Sequence, residues 1–166
     1  MKDHKGYIDL QSTEGKGTTF TLYFLVTRKE LVKGKFIVPV EEYKGEGERI
    51  LVVDDVEGQR EIASVLLSHL GYSVTTVSSG EEALGYMKNA TVDLVVLDMI
   101  MDPGIDGLET YKQILEMHPK QKAIIASGFS ETHRVSEAQR LGAGQYVKKP
   151  YTLEKIGMAV RKELDS

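Results

Sequence analysis

The pattern of apolar and polar residues changes near residue 49. From Arg49 onward, short β-branched or apolar runs alternate with segments that carry apolar residues at helical spacing. Five such pairs follow one another, which is typical of β-α-β units on a parallel sheet. The first run is continuously apolar, as expected for a strand that is buried on both faces. The predicted strands are Ile50 to Asp54, Ser73 to Val77, Val92 to Asp98, Ala123 to Ser127 and Gln145 to Lys149.

The helices predicted between these strands have recognisable ends. Ser79 and Glu82 have the spacing of a capping box at the start of the second helix. Gly71 is the predicted C-cap of the first helix, and Thr152 is the predicted N-cap of the last. A fourth helix is expected around residues 135–141. The alternation therefore predicts an α/β domain that is doubly wound around a five-stranded parallel sheet.

The first part of the chain has a different pattern. Two β-rich runs, Tyr7 to Ser12 and Thr18 to Val26, flank the turn sequence EGKG and predict a β-hairpin. A lone hairpin is only marginally stable in water, and its exposed edges favour pairing with a second chain. We therefore expect that a homodimer can form through these N-terminal strands.

A charged stretch with interspersed glycines, residues 41–48, predicts a linker between the hairpin and the α/β domain. The first 48 residues contain eight basic and eight acidic residues, so the whole net charge of −4 falls on the remainder. The predicted organisation is an N-terminal segment over residues 1–40, a linker over 41–48 and a domain over 49–166.

Composition excludes several classes of function. The 166 residues contain no cysteine, which excludes disulfides, thiolate nucleophiles and cysteine-ligated metal sites and favours a cytoplasmic protein. Lys and Arg total 21 against 25 Asp and Glu, without the basic excess of an autonomous nucleic-acid-binding domain. No stretch approaches the ~20 apolar residues of a membrane-spanning helix. We therefore expect a soluble chain that contacts neither nucleic acid nor membrane.

Polar side chains follow the predicted strands at the edge where parallel sheets bind their ligands. The first predicted strand ends in Asp54 and Asp55, the third in Asp98, the fourth in Ser127 and the fifth in Lys149. Carboxylates that are forced together resist joint ionisation unless a cation neutralises them. Mg²⁺ prefers oxygen ligands and commonly bridges carboxylates to phosphate oxygens. The sequence therefore predicts a Mg²⁺ site that can also hold a phosphoryl group.

The stretches that carry these side chains are ILVVDD, LVVLDMIM, IIASG and YVKKPY. In this order and at these intervals they resemble the receiver domain of two-component response regulators, whose fold is flavodoxin-like. The resemblance implies that Asp98 accepts a phosphoryl group and that Lys149 pairs with it. It also implies that Asp54, Asp55, Asp98 and the Ile100 carbonyl hold Mg²⁺.

The same resemblance implies that Ser127 and Tyr146 are the residues that switch conformation after phosphorylation. One departure from the family pattern is visible in the loop after Asp98. Receiver domains usually place a proline four residues after the acceptor, whereas here Asp102 takes that position and Pro103 follows it. The sequence therefore predicts a loop that is one residue longer than usual.

The segment from His4 to Val26 is similar to the last stretch of a histidine-kinase ATP-binding domain. Gly15, Gly17, Thr18 and Thr19 carry the likeness, in a Gly-x-Gly-Thr turn followed by a strand. The upstream boxes that would hold nucleotide are absent, so we do not expect this segment to bind ATP. Together with the receiver it implies part of a hybrid sensor histidine kinase.

The resulting hypothesis is phosphoryl transfer from a phosphohistidine, on a histidine kinase or a histidine phosphotransfer protein, to Asp98. Two alternatives remain open. A haloacid-dehalogenase-like phosphatase also combines an Asp nucleophile with Mg²⁺, but it needs an Asp-x-Asp motif that Asp54-Asp55-Val56 does not supply. A degenerate receiver would act only as an interaction module and never take phosphate; its full acidic set argues against this reading, and the lengthened loop keeps it open.

Overall fold

The computed structural model describes residues 6–25, 38–128 and 133–166. The chain divides into two units, residues 1–37 and 38–166. In the first unit, β1 (Tyr7–Thr13) pairs with β2 (Gly17–Tyr23) in an antiparallel hairpin. Gly15 and Gly17 both have positive φ, at 74° and 102°, which explains the glycines of the turn. The predicted hairpin is thus confirmed, although β2 ends at Tyr23 and Val26 lies outside the described residues.

One face of the hairpin is apolar. Ile8 lies opposite Leu22, and Leu10 lies opposite Phe20, so the four side chains share a face because strand residues alternate in direction. All four are more than 40% exposed.

The second unit contains a sheet of five parallel strands with the order β4-β3-β5-β6-β7. Its strands are β3 (Arg49–Val53), β4 (Ser73–Val77), β5 (Leu94–Leu97), β6 (Ala123–Ser127) and β7 (Tyr146–Lys148). The helices are α1 (Glu57–His69), α2 (Gly80–Met87), α3 (Gly107–Met117), α4 (His133–Arg140) and α5 (Leu153–Leu164). The doubly wound flavodoxin-like fold is therefore confirmed.

The sheet is buried on both faces, as the apolar runs predict. Leu51 and Val53 of β3 point into a core that is completed by α2, α3 and α4. Ile50 and Val52 point to the opposite face, where α1 and α5 pack. This alternation explains why the central strands read as unbroken apolar runs.

The predicted helix ends are also present. Ser79 Oγ accepts a hydrogen bond from the Glu82 amide at 3.2 Å, but the Glu82 carboxylate bonds the Ser78 amide rather than that of Ser79. Thr152 caps α5 through the Lys155 amide, and Gly71 ends α1 with a φ of 93°. These residues define the start of α2, the start of α5 and the end of α1.

Two central strands stop one residue earlier than the sequence predicts. Asp54 and Asp98 follow β3 and β5 rather than belonging to them. Each carboxylate accepts a hydrogen bond from the amide two residues ahead, on Val56 or Ile100, and this turn carries the backbone out of the ladder. Both acidic residues therefore stand on the loops above the sheet edge.

The segment 41–48, which we expected to be a linker, packs against the α/β domain. Tyr43 follows a short 3₁₀ helix (Val40–Glu42) and is only 5% exposed. Its carbonyl accepts a hydrogen bond from the Tyr72 hydroxyl at 3.2 Å. The Gly45 amide, in turn, donates to the Leu70 carbonyl at 2.7 Å. A single buried tyrosine anchors a stretch whose charges and glycines otherwise resemble a linker.

Candidate functional site

Three carboxylates meet at the carboxyl edge of the sheet. β3 and β5 are neighbours, so Asp54, Asp55 and Asp98 come together although 43 residues separate Asp55 from Asp98 in the sequence. One carboxylate oxygen from each residue lies within 4.8 Å of the others. Asp54 and Asp98 are buried, at 2% and 8% exposure, whereas Asp55 is half-buried. The three acids therefore surround one small space that is open on the side of Asp55.

The start of α3 lies close to the backbone of Asp98. A Cβ on Gly107 would collide with the Asp98 carbonyl and with Met99, so only glycine allows α3 to begin so close to the end of β5. Ile100, the predicted carbonyl ligand, lies in the loop between them and donates its amide to Asp98 at 3.2 Å. Its side chain is 42% exposed.

Lys149 supplies the positive charge. Its ammonium donates to Asp54 and to Asp98, the latter at 2.8 Å, and the residue is only 9% exposed. Its backbone amide donates to the Ser127 carbonyl at 2.9 Å, which fixes the end of β7 against β6. Lys148 is exposed. Only Lys149 of the two neighbouring lysines thus faces the acidic cluster.

Burial and the lysine act in opposite directions on Asp98. Burial raises the pKa of Asp98 above its usual value, whereas the hydrogen bond and charge of Lys149 lower it. Burial also raises the pKa of the Tyr151 hydroxyl, and the nearby charges of Asp54 and Asp98 add to that rise. Removing water from the carboxylates makes the charges around them decisive for protonation.

Ser127 and Tyr146, the predicted switch residues, lie next to each other. Ser127 ends β6 and is 3% exposed. The Tyr146 hydroxyl donates to the Ser127 carbonyl at 3.3 Å, and the tyrosine is half-buried. Tyr146 begins β7, so it is its hydroxyl and not its backbone that reaches the carboxyl edge of the sheet.

Two residues near the site were missed by the sequence analysis. Arg60 of α1 donates one guanidinium nitrogen to the carbonyls of Asp54 and Asp55, at 2.7 and 2.9 Å. It therefore fixes the backbone that carries both acids. Its position one turn into α1 could have been noticed, but its target is main chain and leaves no sequence signature. Tyr151, 7% exposed, was taken only as part of the YVKKPY motif.

The loop after Asp98 contacts the site through its backbone. The Asp102 amide donates to the Asp55 carboxylate in a long hydrogen bond of 3.4 Å. The peptide bond between Asp102 and Pro103 is cis. Further along, the Ile105 amide donates to the carboxylate of Glu81, at the start of α2.

The donor set suits a small divalent cation. All three clustered side chains offer carboxylate oxygens, the ligand type that Mg²⁺ prefers, and their spacing of less than 4.8 Å permits one shared ion. The cluster contains three carboxylates, whereas Lys149 contributes one ammonium, so the net charge of these four side chains is negative when all are ionised. The residues present therefore fit Mg²⁺ in both chemistry and charge.

Residues 50–161 match the family model of the response regulator receiver domain. The match covers about two thirds of the chain and includes every residue of the site. The chain therefore belongs to the receiver domains of two-component systems. Membership of this family sets aside the haloacid-dehalogenase-like alternative.

Three similar proteins illustrate the relationship. The chain is 33% identical over 117 residues to sporulation initiation phosphotransferase F of Bacillus subtilis, an alignment that covers 70% of this chain and 94% of that protein. A solved structure of the response regulator TrrA of Thermotoga maritima, in complex with Mg²⁺-BeF, is 36% identical and has a TM-score of 0.63. That match covers 69% of this chain and 97% of TrrA.

The third relative also aligns with the N-terminal segment. Sensor kinase CckA of Brucella abortus is 29% identical over 175 aligned positions, which cover 99% of this chain. The alignment spans only 18% of CckA. Among the helices of the described residues, none combines the length and the apolar character needed to cross a membrane.

Proposed function

We propose that this domain accepts a phosphoryl group from a phosphohistidine onto the carboxylate of Asp98. The observation that carries the proposal is the position of Asp98: it directly follows the central strand β5, within 4.8 Å of two further acids and 2.8 Å from the Lys149 ammonium. The relative named as a phosphotransferase and the Mg²⁺-BeF complex of TrrA support it. The phosphodonor is a histidine kinase or a histidine phosphotransfer protein.

In the proposed reaction, a carboxylate oxygen of Asp98 attacks phosphorus in line with the P–N bond of the phosphohistidine. The P–O bond forms as the P–N bond breaks, and the electron pair of that bond returns to the imidazole. The Lys149 ammonium, already beside Asp98, stabilises the negative charge on the phosphoryl oxygens. Asp54, Asp55, Asp98 and the Ile100 carbonyl would hold Mg²⁺, which supplies further neutralisation of those oxygens.

The proposed response is a change of two side chains. The acyl phosphate carries ~−1.5 to −2 charge, by analogy with other phosphorylated side chains. The Ser127 hydroxyl turns toward this charge, and Tyr146 moves into the space that it leaves. Because Tyr146 now bonds the Ser127 carbonyl, this movement breaks a contact and alters the surface of β7 and α5.

The experiment that tests this function is phosphorylation by acetyl phosphate and Mg²⁺, followed by intact-mass measurement. The wild type should gain one phosphoryl group and Asp98→Asn should gain none. Asp93→Asn is the matched control, because Asp93 lies at the opposite edge of the sheet and pairs with Arg49. Labelling that persists in Asp98→Asn would place the acceptor elsewhere, with Asp55 as the first candidate, and no labelling of the wild type would favour the degenerate receiver.

We further infer that the hairpin belongs to a histidine-kinase ATP-binding domain, so that the receiver is part of a hybrid sensor kinase. The support is the two-stranded hairpin with its Gly-x-Gly turn and the alignment with CckA across the whole segment. The exposed apolar face of the hairpin also supports self-association through β1 and β2. Sedimentation velocity tests this: Phe20→Asp should shift a dimer to a monomer, whereas Thr19→Asp, on the other face, should not.

A further inference from the structure

Two hydrogen bonds from amides of one loop connect the start of α2 to the acidic cluster. The Glu81 carboxylate accepts a hydrogen bond from the Ile105 amide at 3.0 Å. Three residues earlier in the same loop, the Asp102 amide donates to the Asp55 carboxylate. The loop of residues 102–105 is therefore fixed at one end by Glu81 and touches Asp55 at the other.

The loop also passes directly over the Glu81 side chain. A Cβ on Gly104 would lie 2.7 and 2.8 Å from the two Glu81 carboxylate oxygens, and Gly104 has a φ of 122°. The positive φ of Gly104 favours glycine at this position. The Glu81 carboxylate of α2 and Gly104 of the loop thus lie against each other.

Hydrogen bonds favour the ionised form of the Glu81 side chain. Its own amide, at the start of α2, and the Ile105 amide both lower the pKa of Glu81. The carboxylate is therefore available as an acceptor across the range in which a receiver works.

We propose that Glu81 is a positioning residue for Asp55, because it holds the 102–105 loop where the Asp102 amide engages the Asp55 carboxylate. This inference rests on the proposed function, in which Asp55 is a ligand of Mg²⁺. The Asp102 amide bonds one oxygen of Asp55, and this bond restricts rotation of the Asp55 carboxylate beside the other two acids. The longer loop, with Asp102 in place of the usual proline, supplies the amide that proline lacks.

Outer partners of metal ligands typically contribute 10–100-fold to metal affinity. The Asp102 bond is long, so the expected loss lies at the lower end of that range. Glu81→Ala, which removes the acceptor of the Ile105 amide, should weaken Mg²⁺ binding about tenfold. Glu81→Gln removes the charge but keeps a carbonyl oxygen that can accept the same bond. It should restore most of the affinity.

Glu82→Ala is the matched control. Glu82 is the next residue in the same turn of α2 and carries the same charge, but its carboxylate bonds Ser78 rather than the loop. If Glu81 acted only through helix stability or net charge, Glu82→Ala would weaken Mg²⁺ binding to a similar extent.

The experiment is a calorimetric titration of the full chain and its three variants with Mg²⁺, together with amide hydrogen exchange in the absence of metal. We expect faster exchange of both Ile105 and Asp102 in Glu81→Ala, and wild-type exchange of both in Glu82→Ala. Unchanged Mg²⁺ affinity in Glu81→Ala, an equal loss in Glu81→Gln or Glu82→Ala, or unchanged Asp102 exchange in Glu81→Ala would each overturn the proposal.

The two measurements separate this inference from the proposed function. A wild-type chain that binds no Mg²⁺ would refute the proposed function and the affinity effect together. Faster amide exchange of Asp102 in Glu81→Ala, but not in Glu82→Ala, would then still show that Glu81 holds the loop in place. Mg²⁺ binding by the wild type with unchanged exchange would refute the link and leave the function standing.

Discussion

Replacement of Lys149 by methionine isolates the electrostatic contribution of the site to folding. Lys149 is 9% exposed, and the two carboxylates that it contacts, Asp54 and Asp98, are 2% and 8% exposed. Methionine keeps most of the aliphatic volume but removes the ammonium. Lys149→Met therefore leaves two buried carboxylates facing each other without their shared cation.

The expected cost follows from this burial. Removing one partner of a buried ion pair typically destabilises a protein by about 3–5 kcal/mol, because the other charge is left uncompensated. Asp98 can relieve part of the cost by taking up a proton, so we expect about 3 kcal/mol at neutral pH. For a urea dependence of about 1–3 kcal/mol per molar, the unfolding midpoint should fall by roughly 1–3 M.

The pH dependence has a definite sign. Burial raises the pKa of Asp98 in the folded protein, and loss of Lys149 removes the main opposing influence. The folded variant then retains a proton at pH values where the unfolded chain, with a pKa of about 3.9, has lost it. Because stability falls as pH rises wherever the folded state binds more protons, the deficit should be largest at neutral pH and should shrink toward about pH 4.

The assay is urea unfolding of wild type, Lys149→Met and Lys148→Met in EDTA, followed by far-UV circular dichroism. Lys148 is exposed, so its substitution should change the free energy of unfolding by less than about 0.5 kcal/mol. Millimolar Mg²⁺ should stabilise Lys149→Met, since a cation on the same carboxylates replaces the missing charge. A cost below about 1 kcal/mol at neutral pH, or a cost that grows with acidification, would refute the argument.

Two further substitutions test contacts that only the structure shows. Arg60→Met should weaken Mg²⁺ binding about tenfold in a calorimetric titration, because it frees the backbone of Asp54 and Asp55, whereas Arg49→Met at the opposite sheet edge should not. Tyr43→Ala should lower the free energy of unfolding by about 3–5 kcal/mol, since it empties a buried aromatic position, and equal stability of the two proteins would favour the predicted linker over residues 41–48.

The fold was predictable because its strands are buried on both faces. Leu94 to Leu97 form an unbroken apolar run, as expected for a strand covered on both sides, and the alternation of such runs with helical segments predicts a parallel sheet without knowledge of any contact. The edge at which Asp54, Asp98 and Lys149 meet follows from the same topology, since parallel strands bring their carboxyl ends together. Topology thus accounts for the candidate site as well as for the fold.

What escaped prediction depends on contacts with the main chain. Arg60 bonds two carbonyls, and Glu81 contacts the loop through an amide, so neither of these contacts involves a second side chain that a sequence pattern could reveal. Tyr43 is a single aromatic residue within a charged, glycine-containing stretch, where no periodicity distinguishes a buried position from an exposed one. Every residue type carries the same backbone groups, so such contacts become visible only when the folded chain brings the partners together.

The charges at the sheet edge connect stability with the proposed function. Asp54, Asp55 and Asp98 face one ammonium, so the folded domain holds an excess of negative charge in a largely buried place. This excess disfavours folding, yet it is what gives the site its affinity for a divalent cation. Under the proposed function a phosphoryl group would add still more negative charge, so we expect transfer to require the cation as well as Lys149. An Asp98→Asn protein should therefore be more stable than the wild type in EDTA while it accepts no phosphoryl group, because one carboxylate creates both the instability and the reactivity.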